Sequence, residues 1–224
     1  MIKFVPVYIT DHNAIISKDF NTKFTAFMTD FYAPFKKYNL DIQIAKETWE
    51  YAVTNSIEGA SWVGAGKNVV DVKTPKADLD VKGLSIALMT VGQTTEASFL
   101  QNNKQENDGF SKLFENKDFL ALKQMFVDPM DDKIKGTNNL HLLSIIREKS
   151  TKKVYYCLLK VESSTTDDDD DFLSHMNIDG KRSVTLPMID PIYGKTYIYI
   201  AKRRLELRLN MQGLEPFLVY SHSY

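Results

Sequence analysis

The sequence predicts an α/β fold: a central mixed β-sheet flanked by helices. Two strand–turn–strand runs occur, at 69–84 and 140–161, and two apolar stripes at helical spacing precede the first of them. The last third of the chain alternates apolar and polar residues, as half-buried strands do. A chain of 224 residues, 43% hydrophobic and 12% aromatic, can bury a sizeable core, so one domain over 1–224 is expected and global disorder is excluded.

Net charge is −1, which argues against a non-specific coating of nucleic acid but leaves room for a specific binder whose positive charge is local. No run reaches the ~18 apolar residues that span a bilayer. The opening MIKFVPVYIT is too short, and too polar beyond Thr10, for an export signal. The single cysteine, Cys157, allows no intrachain disulfide. A cytoplasmic protein without membrane association is expected.

Ile2 to Ile9 reads as a strand. Phe20, Phe24, Phe27 and Phe31 recur at near-helical spacing and predict a first helix from about Ser17 to Phe31, which Pro34 should stop or kink. The stripe reads as core; the alternative is a subunit interface. A second helix is expected from about Asp41, a suitable cap, to Glu58, through Ile42, Ala45, Trp49, Ala52, Val53 and Ile57. Glu58 stands at its C-terminal end, where the helix dipole favours cations. Gly64-Ala65-Gly66-Lys67 is not a phosphate-binding loop, because Ser61 and Asn68 occupy positions where Gly and Ser or Thr are required.

The stretch VVDVKTPKADLDVKGL, from Val69 to Leu84, reads as two short strands around a turn containing Pro75. Closure around that turn sets Asp71 opposite Asp80 and Lys73 opposite Asp78. Asp71, Asp78, Asp80 and Lys82 then share one face. Like charges facing each other are destabilising, and a divalent cation is the usual reason to keep two carboxylates together. Oxygen-only ligation of this kind suits Mg2+. Two carboxylates, a metal ion and the Lys82 ammonium compose a site for hydrolysing a phosphodiester.

Further on, Leu84 to Val91 prolongs the second strand or forms a buried one. Glu96 to Gln105 reads as a short helix, and Phe110 to Phe126 as one or two amphipathic helices. The acids at 128–132 read as a solvated loop. Leu140 to Arg147 and Lys153 to Val161 form a second hairpin. His12, His141, His175 and His222 make no zinc pattern, and His141 reads as structural. SSTTDDDDD, from Ser163 to Asp171, is an acidic surface loop. In the C-terminal basic β region, about 183–224, Lys195, Lys202, Arg203, Arg204 and Arg208 face only Glu206 as a local acid and interleave with Tyr193, Tyr197 and Tyr199. That combination suits a nucleic-acid groove; a half-buried strand with a charged solvent face gives the same alternation.

Asp71, eight intervening residues, then Asp80-Val81-Lys82 resembles the signature of the PD-(D/E)XK nuclease superfamily, whose best-known members are Type II restriction endonucleases. The second acid is Asp rather than the commoner Glu, and Val70 stands where the signature has Pro. Asp78 competes with Asp80 as the second-strand acid. The resemblance implies a restriction-endonuclease-like core at about 41–91. Asp71, Asp80 and the Val81 carbonyl would ligate Mg2+, Lys82 would orient or help deprotonate the attacking water, and Glu58 would be the upstream helical Glu. It further implies site-specific cutting of double-stranded DNA by a homodimer, since two-fold symmetry matches a palindrome. The alternatives are a repair or recombination nuclease of the same superfamily, or a non-catalytic interaction domain whose Asp/Lys cluster is a salt-bridge network.

Overall fold

The computed structural model describes residues 2–38, 40–64, 70–86, 96–101, 112–113, 115–118, 120–121, 131–163, 177–179, 183–190, 194–201, 204–210 and 214–224. Where length suggested one domain, the chain divides into two compact units. One comprises Phe4–Val91, Lys133–Glu162 and Leu214–Tyr224; the other comprises Met1–Lys3, Gly92–Asp132 and Ser163–Gly213.

A mixed, largely antiparallel sheet of seven strands carries the α/β character of the fold. Its strands are β1 (Ile2–Pro6), β2 (Ser61–Trp62), β3 (Val72–Lys73), β4 (Asp78–Ile86), β6 (His141–Glu148), β7 (Lys153–Ser163) and β12 (Val219–Ser223). The order is β1-β7-β6-β4-β3-β2, with β12 also on β7. The pair β4–β6 is parallel, Leu79 opposite His141 through Ile86 opposite Glu148. A parallel pair needs a crossover, and 87–140 supplies it. Both expected hairpins form: β3–β4 with Lys73 opposite Asp78, and β6–β7 with Glu148 opposite Lys153. The tight β3–β4 turn is locked by Thr74, whose hydroxyl donates to the Ala77 carbonyl and accepts the Ala77 N–H.

The first helix, α1 (Phe20–Lys37), runs past its expected end and contains Pro34. Its buried residues are Phe20, Phe24, Met28 and Tyr32, an i+4 row; Phe27 and Phe31 are only partly buried. Phe31 touches both Tyr32 and Phe35, so ring packing spans the turn that proline weakens. The stripe is core, since Phe20 and Phe24 meet Tyr156 of the sheet.

The second helix, α2, is shorter than expected, Lys46–Ser56, and Asp41 does not cap it; Ala45 stands at the N-cap. Asp41 has another partner. The Arg147 guanidinium, 2% exposed, donates to Asp41 Oδ1 at 2.5 Å and to the Ile42 carbonyl, and lies 4.2 Å over the Tyr224 ring. A buried guanidinium needs such partners, and it holds 41–42 extended instead of helical. Trp49 presses on β4 at Gly83, where an added Cβ would run into the indole. Ala52, Val53 and Ile57 complete the packing of α2 into the core.

The second unit holds a five-stranded sheet in the order β5-β11-β10-β9-β8. These are β5 (Glu96–Gln101), β8 (Asn177–Asp179), β9 (Ser183–Asp190), β10 (Gly194–Ala201) and β11 (Arg204–Asn210). The segment read as a short helix from Glu96 is therefore a strand; cross-strand pairing with β11 overrides weak local helical periodicity. Around 131–135 a helical turn replaces the expected acidic loop. Most of Phe110–Phe126, and 164–171 of the acidic run, lie outside the described residues. Among the described residues no helix is long and apolar enough to cross a membrane.

Two outcomes follow from this packing. Burial lowers the pKa of His12 and His141 and takes His222 from 6.5 to about 4, so each is neutral in the fold. A depressed folded-state pKa means the unfolded chain binds the proton more readily. Stability contributed by His222 is therefore full above about pH 6.5 and is lost as pH falls towards about 4, a loss on the order of 2–3 kcal/mol. Urea midpoints measured across that range should fall, and His222→Phe should flatten the decline. Gly83→Ala should cost about 1–3 kcal/mol, because the Trp49 indole is buried and must shift bodily; thermal melting reads this directly.

Candidate active site at the edge of the first hairpin

The carboxylates converge where β3 gives out beside β4. The ladder pairs Val72 with Leu79 and Lys73 with Asp78, and the Asp71 N–H then bonds to Leu79 again, out of that register; Asp71 acts on Asp80 through its charge. Asp71 is not itself in a strand. Its N–H donates to the Leu79 carbonyl and its carbonyl accepts the Val63 N–H, both at 3.0 Å. Its Oδ2 accepts the Val81 N–H at 2.8 Å, and its Oδ1 takes Lys46 Nζ at 2.7 Å. In an extended strand the N–H and C=O of one residue point to the same side. The Val81 carbonyl therefore also faces the Asp71 side.

Asp80 is 4% exposed, and Lys133 Nζ sits 2.5 Å from its Oδ2. Burial pushes the Asp80 carboxyl up, the Lys133 ammonium pulls it back, and the Asp71 charge adds to the rise. Lys82 makes no hydrogen bond or ion pair with another described residue. Burial lowers its pKa, the Lys46 ammonium lowers it further, and Asp71 and Asp80 oppose both. Asp78 is occupied elsewhere: its Oδ2 accepts the Asn138 N–H at 2.9 Å and its own N–H donates to the Asn138 carbonyl at 2.8 Å. Of the two competing second-strand acids, Asp80 is the one beside Asp71 and Lys82.

Glu58 lies away from this group. It is exposed beyond the end of α2, its N–H donates to Ser17 Oγ, and its charge acts on Lys23. The helical acid at the cluster is Glu50, 1% exposed, one turn into α2. Its Oε2 accepts the Trp62 indole N–H at 2.8 Å. Lys46 Nζ stands 2.8 Å from Oε1, an ion-pair contact without the angle of a hydrogen bond, which leaves Oε1 with no hydrogen-bond partner. Trp49 seated on Gly83 fixes the helix at the height that brings Glu50 and Lys46 to Asp71.

Sequence reading missed Glu50, Lys46 and Lys133. Glu50 and Lys46 carried a signal, the Lys-x-x-x-Glu spacing that puts both on one helix face. Lys133 carried none, being 53 residues from Asp80. The four histidines gave no metal pattern, and His141 is structural, its Nδ1–H donating to the Asn139 carbonyl at 2.7 Å. Burial pushes the Cys157 thiol up to about 12, which removes it as a nucleophile.

Among the described residues no three His, Cys, Asp or Glu side chains converge on one point. The donor set at the hairpin edge still fits a magnesium ion, which uses one or two carboxylates and completes its shell with water and substrate oxygens. Asp71, Asp80 and the Val81 carbonyl supply such donors, and beside them the buried Glu50 Oε1 is met by the Lys46 ammonium alone. A cavity of about 530 Å³ lies elsewhere, lined by Asp41, Gln43, Trp49, Gly83, Arg147 and Lys149.

The basic residues expected at a nucleic-acid interface fall in the second unit. Lys195 is on β10, and Arg204 and Arg208 are on β11, with Arg204 opposite Ala201 and Arg208 opposite Tyr197 in register. Lys202 and Arg203 lie outside the described residues. Searches of family models, curated proteins and solved structures give no match to this chain.

Removing Lys133 leaves a buried carboxylate without its ion-pair partner, so Lys133→Met should cost about 3 kcal/mol or more. The double variant Asp80→Leu/Lys133→Met should recover most of that loss, because both charges leave together. Urea denaturation of the four proteins closes the cycle; additive losses would show that the pair is not coupled.

Proposed function

We propose that this protein is a magnesium-dependent deoxyribonuclease with a PD-(D/E)XK site, acting as a Type II restriction endonuclease on double-stranded DNA. The observation that carries the reading is Lys82: a lysine of lowered pKa beside two carboxylates, without a direct ion-pair partner among the described residues. Burial makes that amine a readier proton acceptor at a given pH than an ordinary surface lysine.

In this reading Asp71, Asp80 and the Val81 carbonyl hold Mg2+, which as a Lewis acid would offset charge on the phosphate. The Val81 N–H and Lys46 keep the Asp71 carboxylate aimed, and Lys133 does the same for Asp80. Lys82 Nζ takes a proton from the attacking water as the new O–P bond forms, and the ester oxygen leaves as its P–O bond breaks and is protonated by solvent water. Glu50 supports the site through Lys46, and takes the place of Glu58 as the upstream helical Glu of the site. Lys195, Lys202, Arg203, Arg204 and Arg208 supply phosphate and base contacts, and a homodimer presents two such sites to a palindrome. A repair or recombination nuclease would use the same chemistry and would nick particular structures instead of giving discrete fragments.

A second reading has its own observation. Lys46 pairs with Asp71 and Glu50, and Lys133 pairs with Asp80, as in a salt-bridge network of an interaction domain. Incubation of phage-sized DNA with Mg2+, and with EDTA as control, separates the readings. Discrete, magnesium-dependent fragments support restriction; intact DNA supports the network. Asp80→Ala and Lys82→Ala should each abolish cutting and leave DNA binding largely intact. Glu50→Gln should slow cutting about tenfold or more, while Glu58→Gln should not. The cleavage rate should climb with pH until Lys82 is neutral and level off below pH 10.5, its ordinary value; a pH-independent rate would remove Lys82 as the base.

A further inference from the structure

We infer that Trp62 is a stacking platform for a nucleobase of the substrate strand, next to the phosphate that the carboxylate–lysine cluster engages. The inference rests on the proposed nuclease reading and names how that site would grip DNA.

The chain has two tryptophans in opposite settings. Trp49 is 4% exposed and Trp62 is 49% exposed. Trp62 ends the two-residue edge strand β2, opposite Val72 of β3. An exposed tryptophan is ordinarily a loose apolar side chain, but this one is fastened. Its Nε1–H donates to Glu50 Oε2 at 2.8 Å, and Glu50 is buried. Glu50 contacts Lys46 at 2.8 Å, and Lys46 reaches Asp71 at 2.7 Å. Trp62 is thus the outer end of a chain of polar contacts that starts at the candidate site. With its only polar atom satisfied, what the indole presents to solvent is apolar ring.

The surroundings suit a nucleotide. The Lys46 side chain is 40% exposed and adds positive charge beside the ring, its ammonium held by Asp71 and Glu50. Lys73, opposite Ser61 across the ladder, is exposed as well. Val63 adds exposed apolar surface, and Gly64 follows at φ +80°. Cationic groups that track a backbone, combined with an aromatic face that takes a base, are how single-stranded nucleic acid is held, and stacking is tolerant of base identity. Bases within a duplex are already stacked on one another. A base on Trp62 must therefore come from single-stranded DNA or be turned out of the duplex next to the phosphate.

Tryptophan fluorescence of the full chain, in EDTA so that no cutting occurs, tests this with a mixed-sequence single-stranded oligonucleotide and its duplex. Bound single strand should quench emission, and the duplex should quench it less. Trp62→Phe should bind within a fewfold of wild type and lose the quench, since Trp49 is buried. Trp62→Ala should weaken single-strand binding about tenfold or more. Unchanged quenching in Trp62→Phe, or wild-type affinity in Trp62→Ala, overturns the inference. If Trp62→Ala fails to fold, as melting would reveal, the wild type and Trp62→Phe pair still decides. Quenching without magnesium-dependent cleavage would sink the nuclease and keep the platform; cleavage without quenching would do the reverse.

Discussion

The Asp71 carboxylate is fastened from two directions at once, and the geometry around the first hairpin depends on it. The Val81 N–H holds one oxygen from β4, and Lys46 holds the other from α2. A buried carboxylate is costly without such partners. The arrangement therefore ties the helix to the point where the two strands part. Packing has to agree with it: Trp49 can lie against β4 only because position 83 has no Cβ. The apolar contact sets the height of α2, and the ionic contact sets its rotation. Glu50, on the same helical turn, is carried to the cluster by both.

Charge within the cluster is balanced in number but not in environment. Glu50, Asp71 and Asp80 stand against Lys46, Lys82 and Lys133. Lys46 and Lys133 are spent on direct ion pairs. Lys82 meets the acids only through their field, and burial lowers its pKa. A network built for cohesion gains most when each charge has its own partner. The unequal placement of Lys82 is the feature on which the proposed nuclease reading rests. The same inequality separates Asp78 from Asp80: one is consumed by the Asn138 backbone, the other is held by the Lys133 side chain.

Both sheets solve the same problem of pairing short strands, in different ways. The first is mixed, and its parallel pair β4–β6 brings residues from far along the chain beside the hairpin. The second is wholly antiparallel in its described pairs, so its neighbours are mostly neighbours in sequence as well. Alternation in the C-terminal third is the direct imprint of that ladder.

The sequence by itself determined what depends on near neighbours: both hairpins, the Lys73–Asp78 register of β3–β4, and an aromatic first helix. Alternation of period two and apolar recurrence of period three to four are written within a few residues. Tertiary structure decided the rest. Asp41 gave up its cap role to Arg147, 106 residues away. Ring packing carried α1 through Pro34, and pairing with β11 made a strand of the segment from Glu96. Glu50 rather than Glu58 reached the cluster because the seat of Trp49 on Gly83 fixes which turn of α2 meets Asp71. Lys133 found Asp80 across 53 residues, and no local pattern encodes such a pair, because a buried charge selects its partner by proximity in the finished fold.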